Sequence, residues 1–509
     1  MNEMPHQLDS DLTPLIETCL QKSHIPGLAV GVFEKGSLTY FHGFGSGKLH
    51  DSSPITPDSV FRLASISKIF TAIAIMQLWE KGKFELDDPV NKYLPNGKIL
   101  KKKPTWPDVT FRHLLTHQSG IGELARWSDL FRKGFGMNVV WPNPVPPLAV
   151  LHKPSIKPQI PATMKYAYSN FGVSLLGYLV EILSGEDYVS YMHKHILDPL
   201  EMTHSDFVRS DRVQPNEVQG YVFRGGKWQI AKYYVNIITP AGGLYSTIND
   251  LTKFAQMLLN DGIGHRGPII RKETLKLCWT PQYFAHSAFR TNYAVGLLFW
   301  LFESEGQKII EHTGITTGFT SALSLIPSQN RAIMVFSNLD ETIKTDSTVK
   351  IKNILLQYFL QKSKKKEIFD PFANSPNNLP VSDLKKYCGI YGGYPGVLTN
   401  TRILMNGGDF KVVIKGNQLE ISAIYGPFKH KMLTPTIIPD VFNYSPDEGS
   451  LISSKGQIAF LRTEKDQIIG FARGFLKLRK NKWWQSLRFH LLLALMGLTF
   501  GVIGIILLW

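Results

Sequence analysis

The sequence predicts an α+β protein. An antiparallel sheet packed by helices, with a helical lobe, is followed by a small all-β unit and a C-terminal transmembrane helix. Three observations predict it. Hairpin patterns stand at both ends of the first part, with helical patterns between them. Beyond a basic, Pro- and Asn-rich stretch, short strand patterns recur without a long helical one. The final stretch, 491–509, carries no charged residue. The expected division is 1–365, 366–480 and 491–509.

Composition sets the outer limits. Of 509 residues, 43% are hydrophobic and 19% charged, which excludes a disordered chain and allows a large core. Cys19, Cys278 and Cys388 are far apart, so neither a disulfide scaffold nor a zinc ribbon is expected. The net charge of +15 fits nucleic acid or an anionic membrane surface. No nucleic-acid-binding motif is present, so no nucleic-acid partner is expected.

Met1 to Leu15 lacks a basic start followed by an apolar run, so no secretory signal is expected. Leu28-Ala-Val-Gly-Val-Phe33, the turn Lys35-Gly36-Ser37 and Leu38-Thr-Tyr-Phe41 read as a hairpin. Helical patterns follow near Ser65, over Asn170 to Leu183 and over Ile248 to Leu259. Between them, Arg126 to Pro161 is rich in Trp and Pro, either a surface excursion or an aromatic loop lining a cleft. A second hairpin runs from Ser321 to Pro327, turns at Gln329-Asn330 and returns through Ala332 to Phe336, with a helix from Val349 to Leu360 behind it. Residues 361–380 form a linker. Strands are expected at Phe410 to Ile414, Leu419 to Ile421, Ile458 to Arg462 and Ile468 to Phe475.

The tail reads LLLALMGLTFGVIGIILLW. At about 1.5 Å per residue it would span about 28 Å, close to the hydrocarbon thickness of a bilayer. Lys477, Arg479, Lys480, Lys482 and Arg488, with Trp483 and Trp484 among them, stand just before it. Basic residues favour the cytoplasmic side and indoles the interface, which predicts a single-pass protein with its catalytic part in the cytoplasm. Gly497 and Gly501 make a weak GxxxG signal for a homodimer through that helix.

A serine followed three residues later by lysine is a candidate nucleophile and base, but the chain holds four such pairs: Ser65/Lys68, Ser347/Lys350, Ser363/Lys366 and Ser382/Lys385. Context selects Ser65. It opens a helix that is apolar nearly all round, so Lys68 shares its face in a poorly solvated place. Burial and the helix N-terminal dipole both favour the neutral amine, which can accept the serine proton. The plain alternative is a capping serine and a snorkelling lysine. Tyr168-Ser169-Asn170 precedes another helix. Tyr168 near a cationic lysine could act as base or acid, and Asn170 could hold Lys68 and a substrate carbonyl. The same Tyr-x-Asn pattern occurs at Tyr234-Val235-Asn236. His312-Thr313-Gly314 lies before the second hairpin. There the backbone N–H groups of Ser65 and Ile315 could form an oxyanion hole, and Gly314 would clear space for substrate. His113 and His117 lack the glutamate of a zinc-binding HExxH and are expected to pack or cap.

These elements, in this order, resemble the serine β-lactamase-like family of class C β-lactamases, penicillin-binding-protein-like DD-carboxypeptidases, D-aminopeptidases and family VIII esterases. Further blocks carry the likeness: Ile25-Pro-Gly-Leu-Ala-Val-Gly31, Leu86-Asp-Asp-Pro-Val90, Arg112-His-Leu-Leu-Thr-His-Gln-Ser-Gly120 and Pro240-Ala-Gly-Gly-Leu244. The resemblance covers about residues 15–360 and implies a β-lactamase-like fold. It implies that Ser65 is the acylated nucleophile, that Lys68 and Tyr168 share acid and base work, and that Asn170 and His312 contact substrate. Leu384-Lys-Lys-Tyr-Cys-Gly-Ile-Tyr391 opens a segment similar to the lipocalin-like barrel that follows some such hydrolases.

Two departures matter. Penicillin-targeted members usually have lysine where His312 stands. Histidine is mostly neutral at pH 7 and anchors a carboxylate less well, which favours an esterase or amidase over a β-lactamase. The lack of an export signal argues against a cell-wall substrate. The expectation is therefore a membrane-tethered serine hydrolase acting on a small-molecule, peptide or lipid-like acyl substrate, with no cofactor and no metal. The alternative is a catalytically silent binding or scaffold protein at a membrane.

Overall fold

Runs of Val, Ile and Phe set the strands of the chain, and left-handed turn residues join them. The computed structural model describes residues 3–95, 98–122, 138–140, 145–163, 165–341, 347–362, 373–375, 379–392, 409–423, 430–445 and 456–482. The described residues form two compact units, the first reaching Tyr283 and resuming at Thr291, the second holding Phe284–Arg290 and the residues beyond 369.

In the first unit the strands used below are β1 (Gly27–Glu34), β2 (Ser37–Gly45), β3 (Phe61–Ala64), β4 (Leu244–Ser246), β5 (Ala294–Val295), β6 (Trp300–Ser304), β7 (Gln307–Thr316), β8 (Phe319–Ile326) and β9 (Arg331–Ser337). The helices are α1 (Glu3–Leu20), α2 (Ser67–Glu80), α3 (Phe111–Leu115), α4 (Asn170–Ser184), α5 (Ile248–Leu259) and α6 (Ser347–Lys362). Most of an eight-stranded sheet runs in the order β5-β6-β7-β8-β9-β1-β2. The N-terminal hairpin is therefore stitched to the C-terminal one, with Leu28 opposite Ser337 and Glu34 opposite Arg331. Lys35 and Gly36 join β1 to β2 at φ 51° and 96°, the backbone that a two-residue hairpin turn requires.

Helices cover the sheet. Tyr358 of α6 donates to Asp11 of α1 at 2.5 Å, and Thr13 of α1 meets the Tyr40 hydroxyl of β2 at 3.2 Å. Gly31 lets α5 approach closely, since a Cβ there would lie 2.6 Å from the Ile248 side chain. In the lobe, α2 is buried continuously from Ser67 to Leu78. Phe70 stacks on Phe254 with ring centroids 3.7 Å apart. Ser169 caps α4 by accepting the Gly172 amide hydrogen at 2.8 Å, and Gly185 ends it at φ 77°. Of the expected aromatic excursion, Asn138–Val140 pairs with Tyr234–Asn236, whereas Trp127 and Trp141 lie outside the described residues.

The second unit is a closed eight-stranded barrel: β10 (Gly389–Gly392), β11 (Phe410–Lys415), β12 (Gln418–Ala423), β13 (Lys431–Pro435), β14 (Val441–Tyr444), β15 (Gly456–Arg462), β16 (Ile468–Arg473) and β17 (Leu476–Asn481). Closure comes from β10 pairing with β17, Tyr391 opposite Lys480. Tyr391, Phe410, Phe442, Phe460 and Phe471 fill its interior.

The structure corrects the expected membrane span. Among the described residues no helix is long and apolar enough to cross a membrane, so neither the transmembrane helix nor single-pass membrane localisation is supported. The longest described helix, α1, is 18 residues long and carries Asp9, Asp11 and Glu17. The expected segment 491–509 lies outside the described residues. The basic residues read as its flank have another place. Lys477, Arg479 and Lys480 belong to β17, where Leu478 between them points into the barrel and is buried.

Candidate active site

The chain reaches Ser65 through a strained turn. At Arg62–Ala64 the pairing of β3 with β4 slips in register, and Ala64 adopts φ 47°, an unfavourable conformation for a residue with a Cβ. Ser65 therefore stands in the turn before α2 and does not cap it. The N-cap is Ile66, which offers no side-chain hydrogen bond. Lys68 follows within the first turn of α2 and is fully buried.

Three predicted groups meet here. Lys68 Nζ donates to Ser65 Oγ at 2.9 Å, and the Tyr168 hydroxyl donates to the same oxygen at 2.9 Å. Lys68 Nζ also lies 5.0 Å from the Tyr168 ring centre. Ser65 and Tyr168 are 9% and 5% exposed, so the hydrogen bonds form with little competition from water.

A short turn, Thr239–Gly242, locks Lys68 in place. Lys68 Nζ donates to Ala241 O at 2.5 Å, and Thr71 Oγ1 donates to Pro240 O at 2.7 Å. Ser67 Oγ accepts the Leu244 amide hydrogen at 2.9 Å. The Pro240 to Leu244 block carries the family likeness, but nothing in its residue types points to this lock on Lys68. Gly177 of α4 is needed too, because a Cβ there would lie 2.1 Å from Pro240 Cγ.

His117 is a second residue whose part was missed. At φ 56° its carbonyl accepts from Ala167 N at 2.7 Å and its Nδ1 accepts from Ser169 N at 3.2 Å. Its ring packs 4.5 Å from that of Tyr168. It thus orients the segment that carries the phenol. His113 closes a capping box with Thr110 at the start of α3.

The third motif borders the serine. A Cβ on Gly314 would lie 2.2 Å from Leu63 O and 2.9 Å from Ser65 N, so only glycine allows β7 to pass there. His312 is buried and stacks on Trp300, with centroids 4.4 Å apart and planes 13° apart. Its Nδ1–H donates to Thr313 O at 2.7 Å. Asn170 is half-buried at the first position of α4. Ile315 is 44% exposed on β7, so its side chain turns to the surface. The rival Tyr234-Val235-Asn236 is structural, since Asn236 Oδ1 accepts the Ile238 amide hydrogen at 3.0 Å. Among the described residues no cluster of His, Cys, Asp or Glu is suited to hold a metal.

Comparison with known proteins places this geometry. The beta-lactamase family profile matches residues 12–356. Protein flp of Staphylococcus aureus is 25% identical over 341 residues, covering 67% of this chain and 64% of the relative. The chain therefore spans just under two thirds of the length of the curated relatives it matches. The octameric penicillin-binding protein homologue from Pyrococcus abyssi is 25% identical, with a TM-score of 0.57 over 92% of this chain and 99% of that one. D-amino acid amidase from Ochrobactrum anthropi SV3 shares the fold at 20% identity, with a TM-score of 0.56 over 70% of this chain and 100% of that one.

Proposed function

The chain belongs to the beta-lactamase family of serine hydrolases, and on that premise we propose that Ser65 forms an acyl-enzyme with an ester or amide substrate. One observation carries the reading: a single buried hydroxyl oxygen lies 2.9 Å from both a lysine amine and a tyrosine phenol. In the step this supports, the neutral Lys68 amine takes the Ser65 proton as Oγ attacks the carbonyl carbon. The carbonyl π electrons move onto oxygen, and the backbone N–H groups of Ser65 and Ile315 stabilise that charge. Collapse expels the alcohol or amine, which leaves with a proton delivered through Tyr168 and Lys68. Water then attacks the acyl carbon by the reverse proton path, releasing the acid and restoring Ser65.

The third motif supports an ester or amide over a β-lactam. His312 is buried against Trp300, so the motif presents a flat aromatic wall in place of a flexible ammonium. The amidase relative acts on amino acid amides by its name, which makes D-amino acid amides a natural first panel beside p-nitrophenyl esters of graded length and nitrocefin. A fluorophosphonate probe should label the wild type at Ser65. Undiminished labelling of Ser65→Ala would refute the assignment, and an unreactive serine with no turnover across the panel would favour a silent binding protein.

A further inference from the structure

A cavity of about 280 Å³ opens in the first unit, and none of Ser65, Lys68 or Tyr168 lines it. Its wall includes Lys48, Arg62, Arg209, Glu217, Lys232 and Tyr233. Arg62 is the unusual member. It is only 4% exposed, and its guanidinium lies over the rings of Tyr233 and Tyr245, 5.2 and 5.6 Å from their centres. The five N–H groups of a guanidinium point outward in its plane, and ring faces do not satisfy them. Among the described residues Arg62 has no carboxylate within ion-pair distance and no hydrogen-bond acceptor. A buried cation in that state is costly unless something anionic fills the space before it.

The acid in the wall does not serve. Glu217 Oε2 accepts from Arg209 Nε at 2.7 Å, and Glu217 Oε1 accepts from the Tyr233 hydroxyl at 2.9 Å. Both oxygens are therefore engaged beside Arg62 without reaching it. Lys48 is half-buried and Lys232 exposed, so both lie nearer solvent than Arg62. One carboxylate thus faces four cations.

We propose that this cavity is a binding site for a small phosphate monoester, held by Arg62 in bidentate fashion and by Lys48 and Lys232 nearer the solvent. The planar fork of arginine matches two oxygens of a phosphate. A dianion balances the excess charge better than a single carboxylate does. The volume admits a phosphate with a few attached carbons.

The test is calorimetric titration of the full chain with inorganic phosphate and with glycerol phosphate, at constant ionic strength, beside acetate and succinate. Saturable binding of both phosphates, absent with acetate, is expected. The Lys48→Ala/Lys232→Ala double variant, altered only at solvent-reaching positions, should bind about tenfold or more weakly. Arg62→Lys should weaken it further, and a melting curve shows whether that variant is folded. No saturable phosphate binding by the wild type would overturn the proposal. So would equal affinity in the double variant, or tighter binding of succinate than of glycerol phosphate.

Discussion

Ser65 is held from two sides by polar hydrogens and from a third by a strand that can pass only because residue 314 lacks a side chain. Each hold has a separate test. Ser65→Ala and Lys68→Ala should each lower turnover by a factor on the order of 10³ or more, and combining them should cost little extra, because the proposed nucleophile and base act as one unit. Steady-state rates on the best ester of the panel check this. Gly314→Ala acts by geometry alone. The new methyl would overlap Leu63 O and push β7 away from the serine. A displacement of about 1 Å can cost on the order of 10²-fold, so probe labelling should slow by about that factor while circular dichroism stays unchanged. Labelling at the wild-type rate would show that the close approach is dispensable. The meeting of Ser65, Lys68 and Tyr168 was legible in the sequence because each lies at or just before a helix start with a distinctive neighbour. The Ala241 carbonyl and His117 were not, because they act through backbone atoms or a left-handed turn, and neither leaves a residue-type signature.

Between the sheet and its covering helix lies a buried ion pair. Lys352 of α6 meets Glu311 of β7 at 2.7 Å, with side chains 2% and 7% exposed, and Ser324 of β8 donates to the same carboxylate at 3.0 Å. Removing one partner strands a charge in the interior. Lys352→Met should therefore destabilise the first unit by about 3–5 kcal/mol in urea unfolding. Lys352→Met/Glu311→Leu should recover much of that loss, and failure to recover it would mean that the pair does more than satisfy itself. Most elements were legible from pattern. Both hairpins and the helices α4, α5 and α6 lie where alternation and helical spacing put them, within a few residues. The barrel was half legible. Gly389–Gly392 and Val441–Tyr444 are four residues each, too short for alternation to register. Leu476–Asn481 was hidden by its lysines and arginines, which describe a solvated strand face as well as they describe a membrane flank.

For the molecule as a whole, acid is the informative perturbation. His152 is 1% exposed, and burial pushes its pKa down from 6.5 to about 3, with the Ser174 hydroxyl at 3.0 Å from Nε2. The folded chain thus resists a proton that the unfolded chain accepts near pH 6.5. Stability contributed by the neutral ring is complete above that pH and is lost as pH falls from about 6.5 towards 3, at about 1.4 kcal/mol per pH unit. Between pH 6.5 and 5 the first unit should lose about 2 kcal/mol through this one group. Urea titrations at the two pH values should show wild type losing about 2 kcal/mol more stability than His152→Gln, and parallel losses would assign acid sensitivity to other groups.

The strand order also imposes a timetable on biosynthesis. β1 has β9 as a neighbour, and β9 is translated almost 300 residues later. At about 5–20 residues per second, the first hairpin waits on the order of 15–60 s on the ribosome before its partner emerges. During that interval the apolar edge of β1 is open to stray pairing. The nascent polypeptide should therefore depend on chaperones until Ser337 clears the exit tunnel, and the barrel repeats the dilemma on a smaller scale until Asn481 does.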